Sequence, residues 1–170
     1  MRTKLRFTTL AIAVLVVFGA LPLAGAETAK GRSVYHFSQI ERIEVGDVPG
    51  HMIGVAEHRG LMSHDTGEVA THIGRLTFDY TNGNGPFQGY NLITFEDGST
   101  KIFKAQGKTT AQASGISTFE ATYTYIKGTG QFEGIQGTGS FTGKRIAPLT
   151  PGASAECYFD FTETYSLPAR

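Results

Sequence analysis

The chain reads as an all-β protein, an eight-stranded antiparallel up-and-down barrel. Three observations predict it. Its 170 residues include 22 Gly, and Gly-containing turn signals recur at short, fairly regular intervals. The runs between them are rich in Thr, Phe, Tyr and Ile, which suit a pleated, half-buried surface. Several runs alternate apolar and polar residues with period two, and none after residue 26 carries an apolar stripe at helical spacing over three turns. About eight short strands in one small chain close into a barrel because closure removes unpaired edges. A two-sheet sandwich is the rival arrangement.

The elements follow in order. Arg2, Lys4 and Arg6 make a basic start, Phe7 to Leu21 is apolar and uncharged, and Ala24-Gly25-Ala26 supplies small residues. That is the layout of a secretory signal peptide over 1–26, cleaved after Ala26, and its apolar run is short of the ~20 residues that span a bilayer. The expectation is a secreted or periplasmic protein whose single barrel domain occupies 27–170. Strands are predicted at 34–45, 51–60, 69–80, 89–96, 99–107, 116–127, 136–146 and 156–166. Leu76, Phe78 and Tyr80 share one face of the third, Phe119, Ala121, Tyr123 and Tyr125 one face of the sixth, and Cys157, Phe159 and Phe161 one face of the last. Asn82-Gly83-Asn84-Gly85-Pro86, Asp97-Gly98, Gly128-Thr129-Gly130 and Pro148-Leu149-Thr150-Pro151-Gly152 are turns.

Composition removes several classes of function. The chain has 15 basic and 15 acidic side chains, and loss of residues 1–26 takes three basic ones and no acidic one. No basic stretch remains for a phosphate backbone, so nucleic acid is not an expected partner. No later apolar run approaches spanning length, so the mature form is expected off the membrane. One Cys excludes a disulfide framework within the chain and every multi-cysteine zinc site. No cofactor motif is present; the glycine-rich 127–137 stretch lacks the Lys-Ser/Thr pair and following helix of a phosphate loop.

That stretch, Lys127-Gly128-Thr129-Gly130-Gln131-Phe132-Glu133-Gly134-Ile135-Gln136-Gly137, reads as a sharp corner between strands, with Phe132 and Ile135 placed to plug one barrel end. It resembles the Gly-x-Gly-x-Phe-Glu-Gly corner of the allene oxide cyclase family and of the related dirigent-like barrels. Thr118-Phe119-Glu120-Ala121-Thr122-Tyr123, Tyr158-Phe159-Asp160-Phe161 and the entry Val34-Tyr35 resemble the same family, over most of 34–166. The resemblance implies an eight-stranded barrel with an apolar lumen. Plant members cyclise an unstable fatty-acid epoxide, and members tend to be oligomers, which leaves a homo-oligomer open here. Aligned on Val34-Tyr35, this chain has His36 where the plant cyclases have a Glu, Ser38 where they have an Asn, and Glu44-Val45 where they have a Ser-Pro pair.

Candidate site residues follow from this alignment and from strand parity. His36 can act as a general base near neutral pH. Glu163 continues the apolar face of Cys157, Phe159 and Phe161, where a dry lumen would raise its pKa. If the first and last strands pair about Ile40 and Phe161, then Ser38 lies opposite Glu163 and His36 opposite Tyr165. His36 and Glu163 are then the catalytic candidates, and Ser38, Phe119, Tyr123, Phe159, Phe161 and Tyr165 the ligand-binding ones. His36, His51, His58, His64 and His72 cluster with Met52 and Met62, but no His-x-His pair exists, so they read as scattered, solvent-exposed side chains and no metal is expected. Cys157 reads as a buried, inert thiol. The expected function is an exported allene oxide cyclase-like barrel holding a small apolar molecule, with isomerase or cyclase chemistry as the activity if there is one. The alternatives are a non-catalytic structural or interaction barrel with a filled lumen and, further off, a periplasmic His/Met metal binder.

Overall fold

The computed structural model describes residues 25–146 and 155–169. The signal-peptide reading of 1–26 rests almost wholly, and the Pro148–Gly152 turn entirely, on residues outside that range. Eight antiparallel strands close into one barrel in sequence order. They are β1 (Glu27–Glu44), β2 (His51–His64), β3 (Val69–Thr81), β4 (Gly85–Thr94), β5 (Thr100–Ala111), β6 (Ser117–Thr129), β7 (Gln136–Arg145) and β8 (Glu156–Ser166), with a single 3-10 turn at Gly130–Phe132 between β6 and β7.

The alternation expected from sequence is present. Ala121, Tyr123 and Tyr125 are buried on β6, and Cys157, Phe159, Phe161, Glu163 and Tyr165 on β8, while the residues between them face outward. The corner behaves as its glycines suggest. Gly130 and Gly134 have φ of +62° and +76°, and a side chain on Gly128 would collide with the Phe132 carbonyl. Phe132 and Ile135 are buried and plug the barrel end beneath β5 and β6.

The seam closes between β1 and β8, but not in the expected register. Phe161 pairs with Gly31 rather than Ile40, Glu163 with Ala29 rather than Ser38, and Tyr165 with Glu27 rather than His36. The slip of nine residues is odd, so it turns β1 over. His36 pairs with Glu156 at the far end of the seam and is exposed. Two local features account for the difference. β1 begins seven residues before the predicted start, at Glu27, in a stretch without β-branched alternation. Gly31 then takes the place opposite Phe161, where an added Cβ would meet the aromatic ring and the Ser63 carbonyl.

A bulge at Ser38 changes the parity of β1. Phe37 pairs with His58 and Gln39 with Glu57, leaving Ser38 unpaired. Ser33, Tyr35 and Phe37 therefore face the lumen before the bulge, and Ile40 and Arg42 line it afterwards. Beyond His36, β1 has β2 beside it but not β8, so the β1–β2 hairpin stands above the seam at this end.

His51 fastens that hairpin. Its Nδ1 is 2.5 Å from Asp47 in the β1–β2 loop and its Nε2 is 2.8 Å from Asp79 on β3. The hydrogen bond to Asp79, then that to Asp47, raises its pKa above the ordinary value. A raised value means the fastening is complete below about pH 6.5, the unfolded-chain value, and is lost as pH rises through the higher folded-state value. In an NMR titration, the His51 ring should titrate above its ordinary value, and Asp79→Asn should bring it down. An unshifted His51 would mean the two contacts are not held in solution.

Candidate ligand pocket

The barrel interior has two halves. The half near the corner is filled: Phe103 stacks on Tyr123 at 4.2 Å between centroids, and Phe95 packs on Phe132 at 4.7 Å. The other half holds a cavity of about 290 Å³ opening at the end where the β1–β2, β3–β4 and β5–β6 loops lie. Phe37, Phe78, Phe87, Phe119, Phe141 and Phe159 supply much of its wall.

Four polar residues form a chain that reaches this cavity through His58 and Asn91. His72 is fully buried, with Nδ1 2.8 Å from Ser33 Oγ and Nε2 2.8 Å from Asn91 Oδ1. His58, which lines the cavity, places its Nε2 3.3 Å from the same His72 nitrogen. With Asn91 Oδ1 as acceptor, His72 carries its proton on Nε2, and the Ser33 hydroxyl donates to Nδ1. His58 Nε2 then presents its lone pair, leaving its proton on Nδ1, which is buried without a hydrogen-bond partner among the described residues.

The pair is neutral at physiological pH. Burial pushes the His72 pKa down to about 4. Burial, with the neighbouring His72 adding to it, holds His58 well below its ordinary value. Cys157 also lines the cavity, and burial pushes its thiol up to about 11, so it is not a thiolate nucleophile.

The hairpin register makes room for the imidazoles. His58 pairs with Gly74 across β2–β3, and His72 pairs with Gly60. A side chain on Gly74 would collide with the His58 ring and the Asn91 amide. The expectation of scattered, exposed histidines is therefore corrected: His58, His64 and His72 are all buried. The missing His-x-His spacing misled because the two rings meet across a hairpin. Two histidines, each set opposite a glycine once the β2–β3 register is counted, were the available signal. Among the described residues no three His, Cys, Asp or Glu side chains gather as a metal-ligand set.

The other sequence candidates separate. Phe119 and Phe159 line the cavity. Tyr123, Phe161 and Tyr165 lie in the filled half. Ser38 is exposed, its hydroxyl donating to the Glu57 carbonyl and carboxylate at 3.2 Å each. His36 is exposed and is not brought near Glu163.

Glu163 is buried but does not line the cavity. Its Oε1 is 2.8 Å from Lys101 Nζ, and its Oε2 accepts from the Tyr123 hydroxyl at 2.9 Å and from the Tyr125 hydroxyl. The Lys101 ammonium also lies 4.5 Å from the ring centroids of both Phe132 and Tyr165. Lys101 carried no apolar-face signal of its own; only the register of β5 places it inside.

No protein-family model matches the chain, and no curated protein matches it in sequence. Solved structures do resemble it. The pterocarpan synthase dirigent protein GePTS1 superposes with a TM-score of 0.50 at 11% identity, over 91% of this chain and 98% of that one. A second pterocarpan synthase dirigent protein, PsPTS1, gives 0.46 at 11% identity over 84% and 97%. The fold is that of a dirigent-like barrel.

Proposed function

We propose that this chain is an exported binding barrel that takes one compact, largely apolar molecule into its open half and steers an isomerisation or ring closure of it, as the allene oxide cyclase resemblance implies. The observation that carries the reading is the aromatic cavity of about 290 Å³ with the neutral His58–His72 pair beside it. The volume lies at the small end of ligand pockets and suits a compact molecule of up to about three rings. Confinement in an apolar pocket lowers the entropic barrier to ring closure. A neutral imidazole held by a second one can donate to a developing oxyanion or pass a proton without first being deprotonated. Export rests on the basic start and apolar run of residues 1–26.

The test uses N-phenyl-1-naphthylamine, an uncharged fluorescent probe. It should bind saturably with one site per chain, and Ala56→Phe, which fills the cavity from β2, should abolish binding while leaving thermal unfolding cooperative. Absence of saturable binding to the unaltered protein would overturn the proposal.

A further inference from the structure

The cavity is lined by cations and no anion. None of its lining residues is Asp or Glu, whereas Arg42, Arg75 and Arg145 line it, the Arg75 side chain being exposed and paired with Glu57. All 15 acidic side chains of the chain fall among the described residues. Arg32 pairs with Asp160, and Arg59 and Arg75 pair with Glu57, all on the outer face. Among the described residues, no carboxylate lies within ion-pair distance of Arg42 or Arg145.

Arg145 is the better placed of the two. It closes β7 at the cavity mouth, on the lumen face that also carries Phe141, and it is only partly exposed. Its Nη2 donates to the Ser117 hydroxyl at 2.7 Å and the Gly115 carbonyl at 3.2 Å, which fix the guanidinium plane. Its Nε–H is buried and has no acceptor among the described residues. Of the five guanidinium N–H groups, those on Nε and Nη1 are left without a protein partner among the described residues. A half-buried guanidinium held in place by neutral groups alone keeps its charge uncompensated, which is costly unless an anion arrives.

We propose that the ligand is a compact aromatic carboxylate, its ring among the phenylalanines of the cavity and its carboxylate on Arg145. This deepens the binding reading above and rests on it. A single fixed guanidinium matches a monoanion, and charge-assisted hydrogen bonds are the strong ones in a site with little water. The flat aromatic walls and the small volume select a ring rather than a long flexible chain.

The test displaces N-phenyl-1-naphthylamine with trans-cinnamate and with cinnamyl alcohol, which share a ring and differ in charge. Cinnamate should displace the probe at a concentration about tenfold or more lower than the alcohol. In Arg145→Gln that advantage over the alcohol should disappear. Equal potency in the unaltered protein, or an advantage retained in Arg145→Gln, would overturn the carboxylate site and leave the pocket standing. Failure of the probe to bind the unaltered protein overturns both readings. If Arg145→Gln no longer folds, Arg145→Lys decides: it keeps the charge but loses the Nε–H, so the advantage should fall at least about threefold, and an unchanged advantage overturns the site.

Discussion

Glu163→Ala should cost about 3–5 kcal/mol of folding stability, because it strands a buried ammonium. Lys101 and Glu163 side chains are 4% and 3% exposed, and their contact of 2.8 Å sits deep in the filled half of the barrel. Removing the carboxylate takes the counter-ion from Lys101 and the acceptor from the Tyr123 and Tyr125 hydroxyls in one step. Lys101→Met should cost less. The carboxylate it leaves behind still accepts from both tyrosines, and methionine fills the space of the lysine stem. Urea unfolding of the two variants at pH 7 measures the difference. Equal losses would show that the tyrosine hydroxyls do not support the carboxylate, and a loss below about 1 kcal/mol in Glu163→Ala would show that water reaches the pair.

Acid should weaken the barrel well before its carboxylates titrate. The unfolded chain takes up a proton at His72 near pH 6.5, whereas the folded chain resists until about pH 4. A depressed folded-state value contributes stability that is full above about pH 6.5 and is lost as pH falls toward about 4. The gap between those two values corresponds to about 3 kcal/mol, and His58, shifted the same way, adds to it. His51 opposes this trend, since its raised value favours the fold at lower pH. The comparison is therefore between the unaltered protein and His72→Gln. The unaltered protein should lose urea resistance steadily from pH 7 to pH 4.5, and the variant should lose less over the same range. Parallel pH profiles would mean that the imidazole pair is hydrated in solution.

The strand order and most strand limits were legible because they depend on local signals. Period-two runs such as Phe119 to Tyr125 and Cys157 to Phe161 state their own buried face, and Asp97-Gly98 marks its own hairpin. The site was less legible because it depends on register. A hydrophilic stretch, Glu27 to Ser33, forms the seam with β8, and a single bulge at Ser38 reverses which residues of β1 face inward. Each of those changes turns side chains through the barrel wall, so His36 and Ser38 leave the lumen. His58, His72, Lys101 and Arg145 sit on strands whose alternation mixes polar and apolar residues on the inner face. A lumen of this kind tolerates such residues only when partners on neighbouring strands hold them, charged for Lys101 and neutral for Arg145, and pairing across strands leaves no trace in a linear pattern. Phe119 and Phe159 could be placed because an aromatic on an alternating face is inside under any even register.

Among the described residues, Phe132 and Ile135 close the corner end of the barrel, and the cavity opens at the other end. Whatever enters must leave by the route it came, so occupancy is strictly sequential. On the function proposed above, a product that lingers would exclude the next substrate and inhibit competitively. Among the described residues nothing opens a second route at the corner end, so a bound molecule would be held and released at the open end rather than conducted through.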